Sequence, residues 1–188
     1  MKEIIFAGRS NVGKSTLIRA LTGKKIPVGK RPGITRKPMK IPYQNVQITD
    51  MPGFGFMSGL AEESQEAIKD NIVHYIEDNA ENIVLAVMVV NAGSFLEIVD
   101  RWAGRNEIPV EVELYEFLHE LNIDVIVAAN KIDKVEDVDR TLDGIAQRLG
   151  MMPPWRQWLD KLVPVSAKKG SIRGLKELIQ KRLEGKRH

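Results

Sequence analysis

Residues 8–15 read Gly-Arg-Ser-Asn-Val-Gly-Lys-Ser, a match to G-x-x-x-x-G-K-[ST]. Such a stretch can hold phosphate. Gly8 and Gly13 let the backbone wrap closely, so that successive N–H groups across Arg9, Ser10, Asn11 and Val12 face phosphate oxygens. A helix beginning here adds its positive end. Lys14 can then bridge the β- and γ-phosphates of a nucleotide, the Ser15 hydroxyl can ligate Mg2+, and Thr16 would lie near the α-phosphate. Ordinary glycine turns match the pattern too, so its position between a strand and a helix carries the weight.

The pattern does not choose a base. Asn130-Lys131-Ile132-Asp133 can. A carboxylate at Asp133 accepts hydrogen bonds from N1–H and the exocyclic amine of guanine, a donor pair that adenine lacks, and it would be left unpaired by the wrong base. The Lys131 stem can lie along the purine, while Asn130 braces the loop and reaches the base. Ser166-Ala167-Lys168 follows the last apolar run, where the Ala167 N–H could meet guanine O6. In Gly33-Ile34-Thr35-Arg36-Lys37, the Thr35 hydroxyl can complete a Mg2+ shell only when a γ-phosphate is present, which would make the loop an order–disorder switch. In Asp50-Met51-Pro52-Gly53, Asp50 would hold Mg2+ through a water and the Gly53 N–H would bond the γ-phosphate. Alone, each is a polar turn or a stray threonine. Together they converge on one Mg2+·GTP.

These loops need a scaffold that gathers them. Residues 3–8 read as a strand, followed by a helix with Leu17, Ile18 and Leu21 at helical spacing. Residues 24–38, rich in proline, glycine and lysine, are a loop. Residues 39–50 form two strands meeting near Tyr43–Asn45. A helix with an acidic start covers 61–80, with Ile68, Ile72 and Tyr75 on one face. Strand 83–91 follows, then an irregular insertion over 92–109 with some helical character around FLEIVDRWA. Helix 110–122, strand 123–130, helix 135–150 closed by Gly150, strand 162–166 and helix 171–185 with Ser171 as N-cap complete the chain. The alternation predicts one α/β domain across 1–188: three layers, a mostly parallel six-stranded sheet with helices on both faces. Ligands bind such sheets at the carboxyl ends of the strands, where these loops fall.

Composition narrows the setting. With 188 residues, 43% hydrophobic and 28% charged, the chain is long enough for a substantial core. Its longest apolar runs are too short to span a bilayer, so no membrane partner is expected. It has no cysteine, which excludes disulfides and thiolate chemistry. No export signal is evident, so a cytoplasmic location is expected. The net charge is +3, but Lys24, Lys25, Lys30, Arg31, Arg36, Lys37 and Lys40 cluster with no acidic residue among them. That cluster reads either as a footprint for nucleic acid or as a solvated loop.

The set resembles the translation-factor-like GTPases in the group of Era, EngA, MnmE and EngB, and is most similar to the EngB (YihA) family. GRSNVGKSTLI (8–18), RPGITRKP (31–38) and DMPGFGF (50–56) carry the resemblance, which extends over nearly the whole chain. It implies a P-loop GTPase fold, GTP and GDP as ligands, Mg2+ held by Ser15, Thr35 and Asp50, and weak hydrolysis with Lys14, Thr35, Gly53 and Asn11 in catalytic roles. It further implies a role in large ribosomal subunit assembly, required for cell division and septation, with ribosomal RNA or a subunit as partner. Two departures mark a divergent, archaeal-looking branch: Asn130 stands where bacterial members usually have threonine, and the segment after Val89–Asn91 is longer.

Hydrolases of this kind often place a polar side chain after the glycine of the metal turn to hold water, whereas here Phe54 stands there. The family resemblance implies that charge stabilisation comes instead from Asn11 and a K+ ion, although Asn11 could equally serve only to fix its loop. Phe54 reads as packed in the core, and Phe56 with Met57 as packing or a partner surface. Two other classes fit the phosphate loop: a phosphotransferase, against which Asn130–Asp133 argues, and an interaction module that has lost hydrolysis, against which Lys14, Ser15, Thr35 and Asp50 argue.

Overall fold

The computed structural model describes residues 1–26, 37–55 and 61–185. Strands β1 (Glu3–Gly8), β2 (Met39–Tyr43), β3 (Val46–Asp50), β4 (Ile83–Asn91), β5 (Val125–Asn130) and β6 (Leu162–Pro164) form one sheet in the order β2-β3-β1-β4-β5-β6. Only β2 runs antiparallel, joined to β3 by a hairpin in which Gln44 adopts φ 51°. The helices are α1 (Lys14–Thr22), α2 (Glu62–Asn79), α3 (Phe95–Ala103), α4 (Val110–Glu120), α5 (Val138–Arg148) and α6 (Arg173–Gly185).

The central strands are apolar without interruption because both faces are covered. On one face Ile5, Met88 and Val127 pack beneath α2, α3, α4 and α5. On the other, Ile4, Phe6, Val87 and Ile126 pack beneath α1 and α6. The expected face of α2 gains Ile76, fully buried beside Ile72, while Ile68 and Tyr75 are only partly covered. Tyr75 donates to Glu3 at 2.6 Å, and Gln47 donates to the same carboxylate at 3.1 Å. Glu3 is 1% exposed, a buried charge that persists because both of its oxygens are bonded.

The helical character expected around FLEIVDRWA is a regular helix over 95–103, because Phe95 and Val99 bury one turn apart and Asp100 forms a two-pronged ion pair with Arg148 of α5. Two local expectations are corrected. The last strand stops at Pro164 instead of continuing to 166. Ser171 does not cap α6: its backbone pairs with Ser166, and Ile172 accepts the first helical bond, from Lys176. Gly150 closes α5 as expected, with φ +79°. Among the described residues no helix is long and apolar enough to cross a membrane.

Candidate functional site

The loops that follow β1, β3, β5 and β6 meet at the carboxyl edge of the sheet, and Asn130 joins those of β1 and β6. It ends β5, is 2% exposed, donates from Nδ2 to the Val12 carbonyl at 2.8 Å, and accepts the Ala167 N–H on Oδ1 at 3.0 Å. The Ala167 N–H, expected to meet guanine O6, is bonded to Asn130 in this structure. Gly13 explains itself at the same place. Its φ is +94°, and a Cβ there would lie 2.4 Å from Asn130 Nδ2. At Gly8 a Cβ would lie 2.4 Å from the Val89 carbonyl oxygen.

The phosphate loop leads into α1, whose first residue is Lys14. Lys14 is 6% exposed, and its Nζ lies 3.3 Å from Asp50 Oδ1. Ser15 Oγ donates to Asp50 Oδ2 at 2.6 Å. Asp50, fully buried at the end of β3, is thus satisfied by two phosphate-loop side chains. A hydroxyl and a carboxylate this close, beside a lysine, fit a Mg2+ site that takes one protein oxygen directly and another through water. Among the described residues no group of three or more histidine, aspartate or glutamate side chains gathers as a metal site. An ion here would draw its other ligands from phosphate and water. Thr16 is partly buried one residue on.

The turn after Asp50 lies along the phosphate loop. Ser10 N–H donates to the Phe54 carbonyl at 2.8 Å, and Phe54 N–H donates to the Gly8 carbonyl at 3.3 Å, so parallel pairing of β1 and β3 continues past both strands. A Cβ at Gly53 would lie 2.8 Å from Ser10 Cα, which is why glycine stands there. Met51 and Pro52 are buried, and Phe54, at 3% exposure, is packed as expected.

In the loop after β5, Lys131 adopts φ 62° and its Nζ donates to the Asn11 carbonyl at 2.8 Å. Burial, aided by nearby Lys134, lowers its pKa. Asp133 accepts the Ser166 hydroxyl at 2.7 Å, a bond that holds its carboxyl below the usual carboxylate range against a smaller opposing effect of burial. Ile132 is partly buried and Lys168 exposed. Gly33, Ile34, Thr35 and Arg36, like Phe56 and Met57, lie outside the described residues, and Lys37 is exposed beside them.

Sequence reasoning missed the partner of Arg9. Its Nε and a terminal nitrogen bond both oxygens of Glu111, at 2.5 and 3.0 Å, and its guanidinium lies 5.9 Å from the Phe54 ring centroid. A signal existed: Glu111, Leu114, Tyr115 and Leu118 share the buried stripe of α4, and an acid on such a stripe calls for a buried cation.

Fold and loops define a P-loop GTPase. Residues 3–131 match the family of the 50S ribosome-binding GTPases. A protein of Methanosarcina mazei named "Probable GTP-binding protein EngB" is 55% identical over 183 residues, 96% of this chain and 88% of its own. A solved EngB structure superposes with a TM-score of 0.88 at 48% identity, covering 98% of this chain and 99% of that one. A structure of Era with Mg-GDPNP and a segment of 16S ribosomal RNA superposes with a TM-score of 0.65 at 25% identity, covering 97% of this chain and 56% of that one. The chain belongs to the EngB family of GTP-binding proteins.

Proposed function

We propose that this chain is a nucleotide-dependent switch that binds Mg2+·GTP, hydrolyses it slowly, and acts in assembly of the large ribosomal subunit in the cytoplasm, as one G domain across 1–188. The observation that carries the switch reading is Asp50, buried and bonded by both Lys14 and Ser15. Bound nucleotide would draw Lys14 to the β- and γ-phosphates and Ser15 to Mg2+. Asp50 would then turn to the metal's water shell, and Gly53, next in the same turn, would report the γ-phosphate. Mg2+ supplies charge neutralisation at the phosphates. Thr35 would close the shell from the preceding loop, with Gly33, Ile34, Arg36 and Lys37 around it.

Guanine would be read by Asp133, already held ionised by Ser166, with Lys131 beside the purine and Asn130 fixing the geometry. The Phe54 side chain has no hydrogen-bonding group to orient water. Stabilisation of the reacting phosphate would then come from Lys14, from backbone N–H groups and, as the family resemblance implies, from a K+ ion placed by Asn11.

Ribosome assembly, with its consequence for cell division and septation, draws support from the family description and from the basic segment before β2. Lys25 and Lys37 there are exposed. Lys24 and Lys40 are partly engaged within the chain, by the Pro42 carbonyl at 2.8 Å and the Tyr75 ring at 5.8 Å. The test is sedimentation with purified ribosomal subunits, combined with phosphate release from GTP and ATP in Mg2+ or EDTA. The expected result is binding to the large subunit with a GTP analogue and not with GDP, and Mg2+-dependent release from GTP alone. Binding indifferent to the nucleotide would overturn the switch.

A further inference from the structure

Between α2 and α4 runs a groove of about 280 Å3. Phe54, Ile72, Val73, Val110, Leu114 and Phe117 make its floor and walls, and the charges at its edge are Lys69, Glu113, Glu116 and Glu120. Lys69 is already paired with Glu113 at 3.0 Å, which leaves Glu116 and Glu120 as the unbalanced charge. The same sign extends along α2, where Glu62, Glu63, Glu66, Asp70, Glu77 and Asp78 face a single lysine, while α4 has no lysine or arginine. In a chain of net charge +3 this acidity is local. The helices on the opposite face of the sheet bring exposed Arg19, Lys176 and Lys181.

We infer that this groove docks a basic amphipathic helix of a partner protein. Large apolar side chains of the partner enter between Val73, Leu114 and Phe117, while its lysines or arginines meet Glu116 and Glu120. Charge decides the class of occupant. The acidic rim repels nucleic acid and anionic lipid surfaces, and the apolar floor gives a purely polar basic tail nothing to bury. Phe54 places the occupant against the turn that is bonded to the phosphate loop.

The test uses the full chain with GDP and two short fluorescein-labelled peptides. One has leucine and lysine at amphipathic helical spacing, and the other has glutamate in place of each lysine. The leucine–lysine peptide is expected to raise fluorescence anisotropy and the leucine–glutamate peptide to leave it unchanged. Joint Glu116→Lys and Glu120→Lys substitution weakens binding by about tenfold or more. The same reversal at Glu63 and Asp78, which the helical period turns away from the groove, changes it by less than about twofold. Methyl NMR shifts concentrate at Ile72, Val73, Val110 and Leu114. Absence of binding, equal loss in the two reversals, or shifts spread over the acidic face would overturn the inference. So would shifts at these methyls that grow with protein concentration before any peptide is added, since the occupant would then be a second copy.

Discussion

Arg9 in the phosphate loop and Glu111 at the start of α4, 102 residues apart, are joined by two hydrogen bonds of 2.5 and 3.0 Å. The side chains are only 14% and 5% exposed. One carboxylate on a helix therefore holds the phosphate loop from behind and, because Arg9 also lies against Phe54, steadies the turn after β3. Removing one partner of such a pair leaves the other charge buried and uncompensated. Glu111→Ala is expected to cost about 3 kcal/mol, lowering Tm by roughly 6–12 °C in scanning calorimetry. The double change Arg9→Met with Glu111→Leu is expected to recover part of that loss. A wild-type Tm in the single variant would show that the pair contributes little.

Asp133 can only accept at its carboxylate, and guanine presents donors. Asp133→Asn turns one acceptor into a donor, so GTP affinity is expected to fall by about a thousandfold or more. Xanthosine triphosphate, which carries an oxygen where guanine has its amine, should gain. Competition against a fluorescent guanine nucleotide measures both. Unchanged GTP affinity would move base reading away from this residue.

Tyr75 gives the fold an alkaline limit. Burial, then its bond to Glu3, raises its pKa from 10.0 to about 12. For an acid whose folded pKa is raised, the unfolded chain ionises first. Stability is therefore unaffected below pH 10 and falls as pH rises from 10 toward 12. Tyr75→Phe should flatten that fall and cost about 1 kcal/mol at neutral pH, since Glu3 loses a donor. Urea unfolding at neutral and alkaline pH, with a phenolate absorbance titration, reads both.

Asn11 is exposed in the phosphate loop, with φ 66°. If it places a K+ ion beside the phosphates, GTP turnover is expected to be faster in KCl than in NaCl at equal ionic strength, and Asn11→Ala should erase the difference while leaving nucleotide affinity within about threefold. Equal rates in the two salts would limit Asn11 to shaping its loop.

The sequence reveals the loops well because their residues are dictated by local geometry. Gly13 needs a positive φ and room for Asn130, and the apolar runs of β4 and β5 need cover on both faces. What it conceals depends on partners far along the chain. The sequence shows helical character in α3, but what fixes so short a helix, burial of Phe95 and Val99 and the pair with Arg148, lies beyond the reach of local pattern. The acceptor of the Ala167 N–H is Asn130, 37 residues away. Ser171 has the right chemistry for a cap and the wrong position, because pairing with Ser166 claims its backbone.

The amide of Asn130 has a consequence of scale. With one end on Val12 and the other on Ala167, it ties the phosphate loop to the loop after β6, the two parts proposed to meet phosphates and base. On the proposed reading the chain would work as a gauge, with Asn130 setting the distance between its jaws. A ligand is measured end to end by it, so one with the right base and the wrong reach would fit at one jaw only.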